Sequence, residues 1–130
     1  MTDEGNTQLY KREAATTLRA LRQQVRWKPR KDSTHLEKRK ALGHLSLETT
    51  GADYNSLIRT LIEEEHHHVY LYSFDSERYY AVRGNIRGKE WLVIATKTGV
   101  IETAFPPSAV EDYLTKRGFV HLGTIQEVLT

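Results

Sequence analysis

The sequence predicts an α+β protein: N-terminal helices packed on an antiparallel β-meander of four to five strands. Three observations predict it. Apolar residues recur at helical spacing in the first half of the chain and at a spacing of two after about His67. The later runs are rich in β-branched and aromatic residues. The joints between those runs are too short for a crossover, so neighbouring strands must be antiparallel.

From Thr7 to Arg26, Tyr10, Ala14, Leu18, Leu21 and Val25 form one face of an amphipathic helix, and residues 1–8 before and at its start are expected to be frayed. "RWKPRKDS" breaks that helix, with Pro29 as the stop. Thr34 followed by Glu37 has the form of a capping box, which predicts a short helix from His35 to Leu42 ended by Gly43. A third helix over 53–65 presents Tyr54, Leu57, Ile58, Leu61 and Ile62 on one side. "HVYLYSF", "YYAVRGNI", "EWLVIAT" and "VIETAF" read as the strands, joined at "DSER", "RGK" and "KTG". "EWLVIAT" is apolar on both faces and suits a central position. Pro106 and Pro107 end the fourth strand, Ser108 and Glu111 form a second apparent capping box for a helix reaching Arg117, Gly118 stops it, and "FVHL" supplies an edge strand.

At 130 residues the chain suits a single domain over 1–130. With 38% hydrophobic and 28% charged residues, the composition is globular. The absence of cysteine excludes disulfides and thiolate chemistry. No apolar run is long enough to cross a bilayer and the first thirty residues lack the apolar core of a signal peptide, so a cytoplasmic protein with no membrane partner is expected. The net charge is only +2, but residues 1–50 hold 11 Lys/Arg against 6 Asp/Glu, while residues 51–130 hold 8 against 11. Lys11, Arg12, Arg19, Arg22, Arg26, Lys28, Arg30 and Lys31 make a basic stripe of the kind that contacts nucleic acid; an ordinary solvated helix face would look the same.

Candidate chemistry centres on "STHLEKRKALGH". His35, Lys38 and Arg39 stand at i, i+3 and i+4 and share a helix face, with His44 just beyond Gly43. An imidazole beside cations is what phosphodiester cleavage needs: a base for the attacking hydroxyl, positive charge for the phosphate, an acid for the leaving oxygen. Arg83 lies within a strand, as a solvated residue or a rigidly held phosphate ligand. Thr103 is placed on one face with Ile101 and Phe105, either as a β-favouring filler or as a donor to phosphate. His66, His67 and His68 are too close together in sequence to converge on one metal ion, so no metal is expected and the run reads as an exposed junction.

Taken together, "HLEKRKALGH", "DYNSLIRTLIE" and a meander ending in "GVIETAF" resemble the barnase/colicin-type/RelE-like (BECR) superfamily of small ribonuclease toxins. The resemblance covers about residues 33–107 and is nearest to colicin-D-like and related uncharacterised branches. There a helical His/Lys motif pairs with Thr or Ser in the terminal strand. It implies a metal-independent endoribonuclease of the toxin–antitoxin or bacterial competition type, without cofactor, with RNA as substrate and an acidic antitoxin or immunity protein as partner. It carries catalytic roles to His35, Lys38, Arg39, His44 and Thr103, and to Arg83, which occupies a strand position where relatives often carry a basic residue. The basic N-terminal helix has no counterpart in it, and the general base is left open among His35, His44, Glu48 and Glu102. Two readings from other classes use the same features: a nucleic-acid-binding accessory protein without chemistry, and a module whose basic helix binds an acidic protein.

Overall fold

A computed structural model describes residues 3–130. It is α+β, with helix α1 (Asp3–Gln23), strand β1 (Arg26–Trp27), helices α2 (Lys31–Ala41) and α3 (Gly51–Glu63), the meander β2 (His68–Phe74), β3 (Glu77–Ile86), β4 (Lys89–Thr96) and β5 (Val100–Phe105), helix α4 (Val110–Lys116), strand β6 (Val120–Thr124) and helix α5 (Ile125–Leu129). The strands form one six-stranded sheet in the order β1-β5-β4-β3-β2-β6. The meander pairs are antiparallel throughout, as their short turns require. The β2–β3 turn has positive φ at Asp75 and Ser76, and the β3–β4 turn at Arg87 and Gly88, the twist that two-residue hairpins favour.

One face of the sheet carries the main core. Leu18 and Leu21 of α1, Ile58, Leu61 and Ile62 of α3, and Ile125 of α5 meet Val69, Val82, Trp91, Val93 and Ile101 there. Each such fully buried side chain contributes about 1.5–3 kcal/mol. Polar ties fix the layer: Glu13 of α1 accepts hydrogen bonds from Arg78 Nε at 2.8 Å, Arg78 Nη2 at 3.0 Å and the Tyr80 hydroxyl at 2.7 Å. The Arg78 hydrogen bonds hold the Glu13 carboxyl down to about 2. The opposite face is only partly covered. Leu114 of α4, with Val110, Tyr113 and Phe119, packs over Tyr70, Ala81, Leu92 and Ile94 and leaves His68 and His121 exposed.

Several local expectations are corrected. Helix α1 begins at Asp3, four residues before the expected start at Thr7; residues 1–2 lie outside the described residues. "RW" is not only a helix break: it forms β1, parallel to β5, and Lys28 N donates to the Ile101 carbonyl at 3.0 Å. Helix α2 starts at Lys31, four residues early, behind Arg30 at φ 69, and Thr34 caps nothing. Helix α4 likewise has no side-chain cap from Ser108. Among the described residues the two capping boxes are Thr50 with Asp53 and Thr124 with Glu127. An acidic residue at the third helical position does the same work whether it is Asp, as after Thr50, or Glu, as after Thr124.

Two register shifts decide what the open face presents. Between β4 and β5, Ile94 pairs with Thr103 but Ala95 pairs with Ile101, so Glu102 is the extra residue. Thr103 and Phe105 therefore share the partly covered face, while Ile101 enters the main core, which corrects the expectation that all three lie together. Between β2 and β6, Val69 pairs with Gly123 but Tyr70 pairs with His121. The extra residue, Leu122, turns inward and His121 is aimed at the open face.

Candidate functional site

The predicted site residues divide into two places. Five gather where α2 meets β5. The His35 ring lies against Trp27, with centroids 6.1 Å apart, and its Nδ1 is 3.4 Å from the Thr103 hydroxyl. One helical turn later, the Arg39 guanidinium stands over the Phe105 ring at 5.6 Å, and its Nη1 is 3.3 Å from His44 Nδ1. Lys38 is exposed beside it. Burial, then the charges of Lys31 and Arg39, push the His35 pKa down; burial, then Arg39 and Lys89, do the same at His44. The Nε2 of His35 is buried without a hydrogen-bond partner, so this imidazole turns no free nitrogen to solvent.

Arg83 is not among them. Phe105 pairs with Leu92 and Leu92 with Arg83, so Arg83 stands two strands away, about 9.5 Å at ordinary strand spacing. It lies in a cleft of about 470 Å³ on the open face, lined also by His68, Tyr70, Glu90, Glu111 and His121. Its Nε donates to Glu90 at 3.0 Å; its Nη1 donates to Glu111 at 2.6 Å and faces the Tyr70 hydroxyl oxygen at 3.4 Å. This guanidinium is not simply solvated: it is held rigidly, by two carboxylates and a hydroxyl. His68 pairs across the sheet with Arg83 and so shares its face. His68 Nδ1 and His121 Nε2 are 3.0 Å apart, so one ring donates to the other through a single shared proton. Burial, then the charges of His68, Arg83 and Lys11, lower the His121 pKa against the pull of Glu127.

The His66–His68 run is not a uniformly exposed junction. His66 and His68 are exposed, but His67 is 3% exposed, with Nδ1 2.7 Å from the Leu61 carbonyl. Its ring lies over Gly84, where a Cβ would come within 2.3 Å of it. Sequence reasoning missed His68, His121, Tyr70, Glu90 and Glu111. The usable signal was alternation: His68 and Tyr70 share a face of one strand, as Arg83 and Ala81 do of the next.

The basic stripe is likewise divided. Arg22 caps the end of α3, donating to the Ile62 carbonyl at 3.1 Å, and pairs with Glu65; Arg26 donates to the Thr98 carbonyl at 2.8 Å; Lys28 pairs with Glu102 at 3.4 Å. These three are tied into the structure. Lys11, Arg12, Arg19, Arg30 and Lys31 form no ion pair among the described residues. Of the two suggested carboxylate bases, Glu102 is the bulge residue held by Lys28, and Glu48 lies in the α2–α3 connection and lines a cavity that Asp53 and Arg87 also line. No group of three or more His, Asp or Glu among the described residues could hold a metal ion, and no helix among them is long and apolar enough to cross a membrane.

The chain matches no protein-family model, no curated protein and no solved structure. Its chemistry is therefore read from the two clusters alone.

Proposed function

We propose that the protein is a metal-independent endoribonuclease of the toxin type, with its reaction centre in the sheet-face cleft. The observation that carries this is the His68–His121 pair, 3.0 Å apart, on the same open face as the clamped Arg83. Two imidazoles sharing one proton supply a base and an acid without a cofactor. His121, whose pKa is lowered, takes the proton from an RNA 2′-hydroxyl as its oxygen attacks the adjacent phosphorus. The bond from phosphorus to the 5′-oxygen breaks, and the protonated member of the pair gives that oxygen its proton. The products are a 2′,3′-cyclic phosphate and a free 5′-hydroxyl. Arg83, with the Tyr70 hydroxyl 3.4 Å from its Nη1, would stabilise the charge that develops on the phosphorane. This keeps the reaction class that the BECR resemblance implies and moves its centre away from α2.

One observation favours the rival reading, an RNA-binding accessory protein without chemistry. Glu90 and Glu111 both pair with Arg83, and a phosphate must displace at least one of them. The two readings separate in a time course on total tRNA and messenger RNA in EDTA with product ends mapped. Cyclic phosphate ends that disappear in His68→Ala and His121→Ala support cleavage. RNA that is bound but never cut leaves the accessory reading standing.

A further inference from the structure

We infer that the groove between the C-terminal end of α2 and helix α4 is a phosphate subsite centred on Arg39, which takes a backbone phosphate of the RNA strand next to the bond placed in the sheet-face cleft; the assignment to RNA rests on the ribonuclease reading. The groove is lined by Lys38, Arg39, His44, Tyr113, Lys116 and Arg117, with the Phe105–Ala109 segment as its floor.

Arg39 is the reason. It is 4% exposed, yet no carboxylate pairs with it among the described residues. Its Nε is buried without a hydrogen-bond partner, and Nη1 meets only the His44 imidazole. Burial correspondingly lowers its pKa. Taking a guanidinium out of water without a counter-charge costs several kcal/mol, and the Phe105 ring and the His44 imidazole offset only part of it. An anion arriving in the groove would offset the rest. The rim favours one: Lys38, Lys116 and Arg117 surround it, and its single acid, Asp112, is occupied by Lys116 at 3.0 Å.

The groove also suits a nucleic-acid strand. The Arg117 guanidinium stacks on the Tyr113 ring at 3.8 Å, a flat surface on which a base can lie. Both sites border α4: Glu111 reaches Arg83 in the cleft, while Asp112, Tyr113 and Lys116 line the groove. Phe105 under Arg39 and Arg83 in the cleft are two strand spacings apart, about 9.5 Å, close enough for one strand to reach both.

The test is binding, not cleavage. A fully 2′-O-methylated RNA decamer lacks the attacking hydroxyl and stays intact whether or not the protein is a nuclease. Its affinity should fall about tenfold in Arg39→Gln, and the slope of log affinity against log salt should shrink by about one. The exposed double variant Lys38→Gln, Arg117→Gln should flatten the slope similarly, and it does so without touching a buried group. Unchanged affinity and slope in both variants would overturn the subsite. So would a uridine monophosphate that binds as tightly as the decamer, since the groove would then take a small phosphoester and not a strand. If the parent cuts RNA while Arg39→Gln binds the decamer normally, the subsite fails and the nuclease stands. If nothing is cut but Arg39→Gln loses the decamer, the subsite stands and the reaction assignment fails.

Discussion

The cleft and the groove each hold an arginine of low exposure, and the two are treated in opposite ways. Arg83 is met by Glu90, Glu111 and Tyr70, so its charge is compensated and its plane is fixed. Arg39 is met by an imidazole and an aromatic ring, neither of which carries compensating charge. A clamped guanidinium beside two coupled imidazoles has the fixed geometry that proton transfer and transition-state stabilisation need. An uncompensated one is suited to holding an anion. The difference separates reaction from positioning within one basic surface, a distinction that residue type alone does not make.

The sharpest way to break that division is kinetic. His121→Ala and His68→Ala should each lower the single-turnover cleavage rate by about 10²–10⁴-fold with circular dichroism unchanged. His35→Ala and His44→Ala should cost less than about tenfold. The reverse ranking would return the chemistry to α2. Arg83→Gln should cost about 10²–10³-fold in the same assay. Glu111→Gln is more revealing, because its carboxylate competes with substrate for Arg83 and its side chain is 79% exposed. Removing it should tighten binding of the intact decamer; weaker binding would mean that Glu111 aims Arg83 and does not mask it.

Stability offers a second contrast. Arg83→Met strands Glu90 and the Tyr70 hydroxyl and should destabilise by about 1–3 kcal/mol. Arg39→Met removes a buried charge that has no partner, and should stabilise by on the order of 1 kcal/mol. Urea midpoints at pH 7 read both. Equal destabilisation would show that the Arg39 charge is compensated in solution.

Much of the fold was legible because its signals are periodic. The 3.6-residue repeats of α1 and α3, the alternation of the meander and the apolar β4 all follow from side-chain spacing. The site was legible only in pieces. Arg83 was singled out, but its partner imidazole His121 reaches the same face only because Leu122 is an extra residue in β6, and Thr103 changes face because Glu102 is one in β5. A bulge inverts the alternation that assigns a residue to a face, and nothing in a run such as "FVHLGT" marks which residue is the extra one. The helix at α2 drew attention because its cations are contiguous in sequence. The cleft drew none because its members come from five separate elements, β2, β3, β4, β6 and α4.

Gly84 tests the boundary between the cleft and the main core. It sits on β3 next to Arg83 with the His67 ring against its missing side chain. Gly84→Ala forces that ring away from the Leu61 carbonyl and should lower stability by about 1–3 kcal/mol, read as a shift in urea midpoint. Cleavage by the folded fraction should fall much less than in His121→Ala. A loss of rate with full stability would mean that His67 helps to shape the cleft.

The smallest expected effect is the pH dependence shared by the two sites. His35, His44 and His121 all have pKa values below the ordinary 6.5, with burial as the first cause in each case. The unfolded chain therefore binds protons that the folded chain refuses as pH falls below about 6.5. Their contribution to stability is complete above that value and is lost as pH drops through 6.5 toward the lower folded values. Melting temperature should decline by a few degrees between pH 7.5 and 5.5, well before the Glu13 contribution, which is lost only as pH falls from the ordinary carboxyl value toward about 2. His35→Gln and His44→Gln should flatten the decline, because both rings sit beside Arg39 and are kept neutral partly by its charge. Inorganic phosphate should have the same effect if it enters the groove, since an anion over Arg39 raises both values toward 6.5. In the cleft, the acid limb of kcat/KM should have its midpoint below 6.5, set by His121. A midpoint above 6.5 would mean that the titrating base is not His121 in the environment it has here. A phosphate-sensitive melting curve paired with a phosphate-insensitive acid limb is the pattern that keeps the two arginines in separate roles.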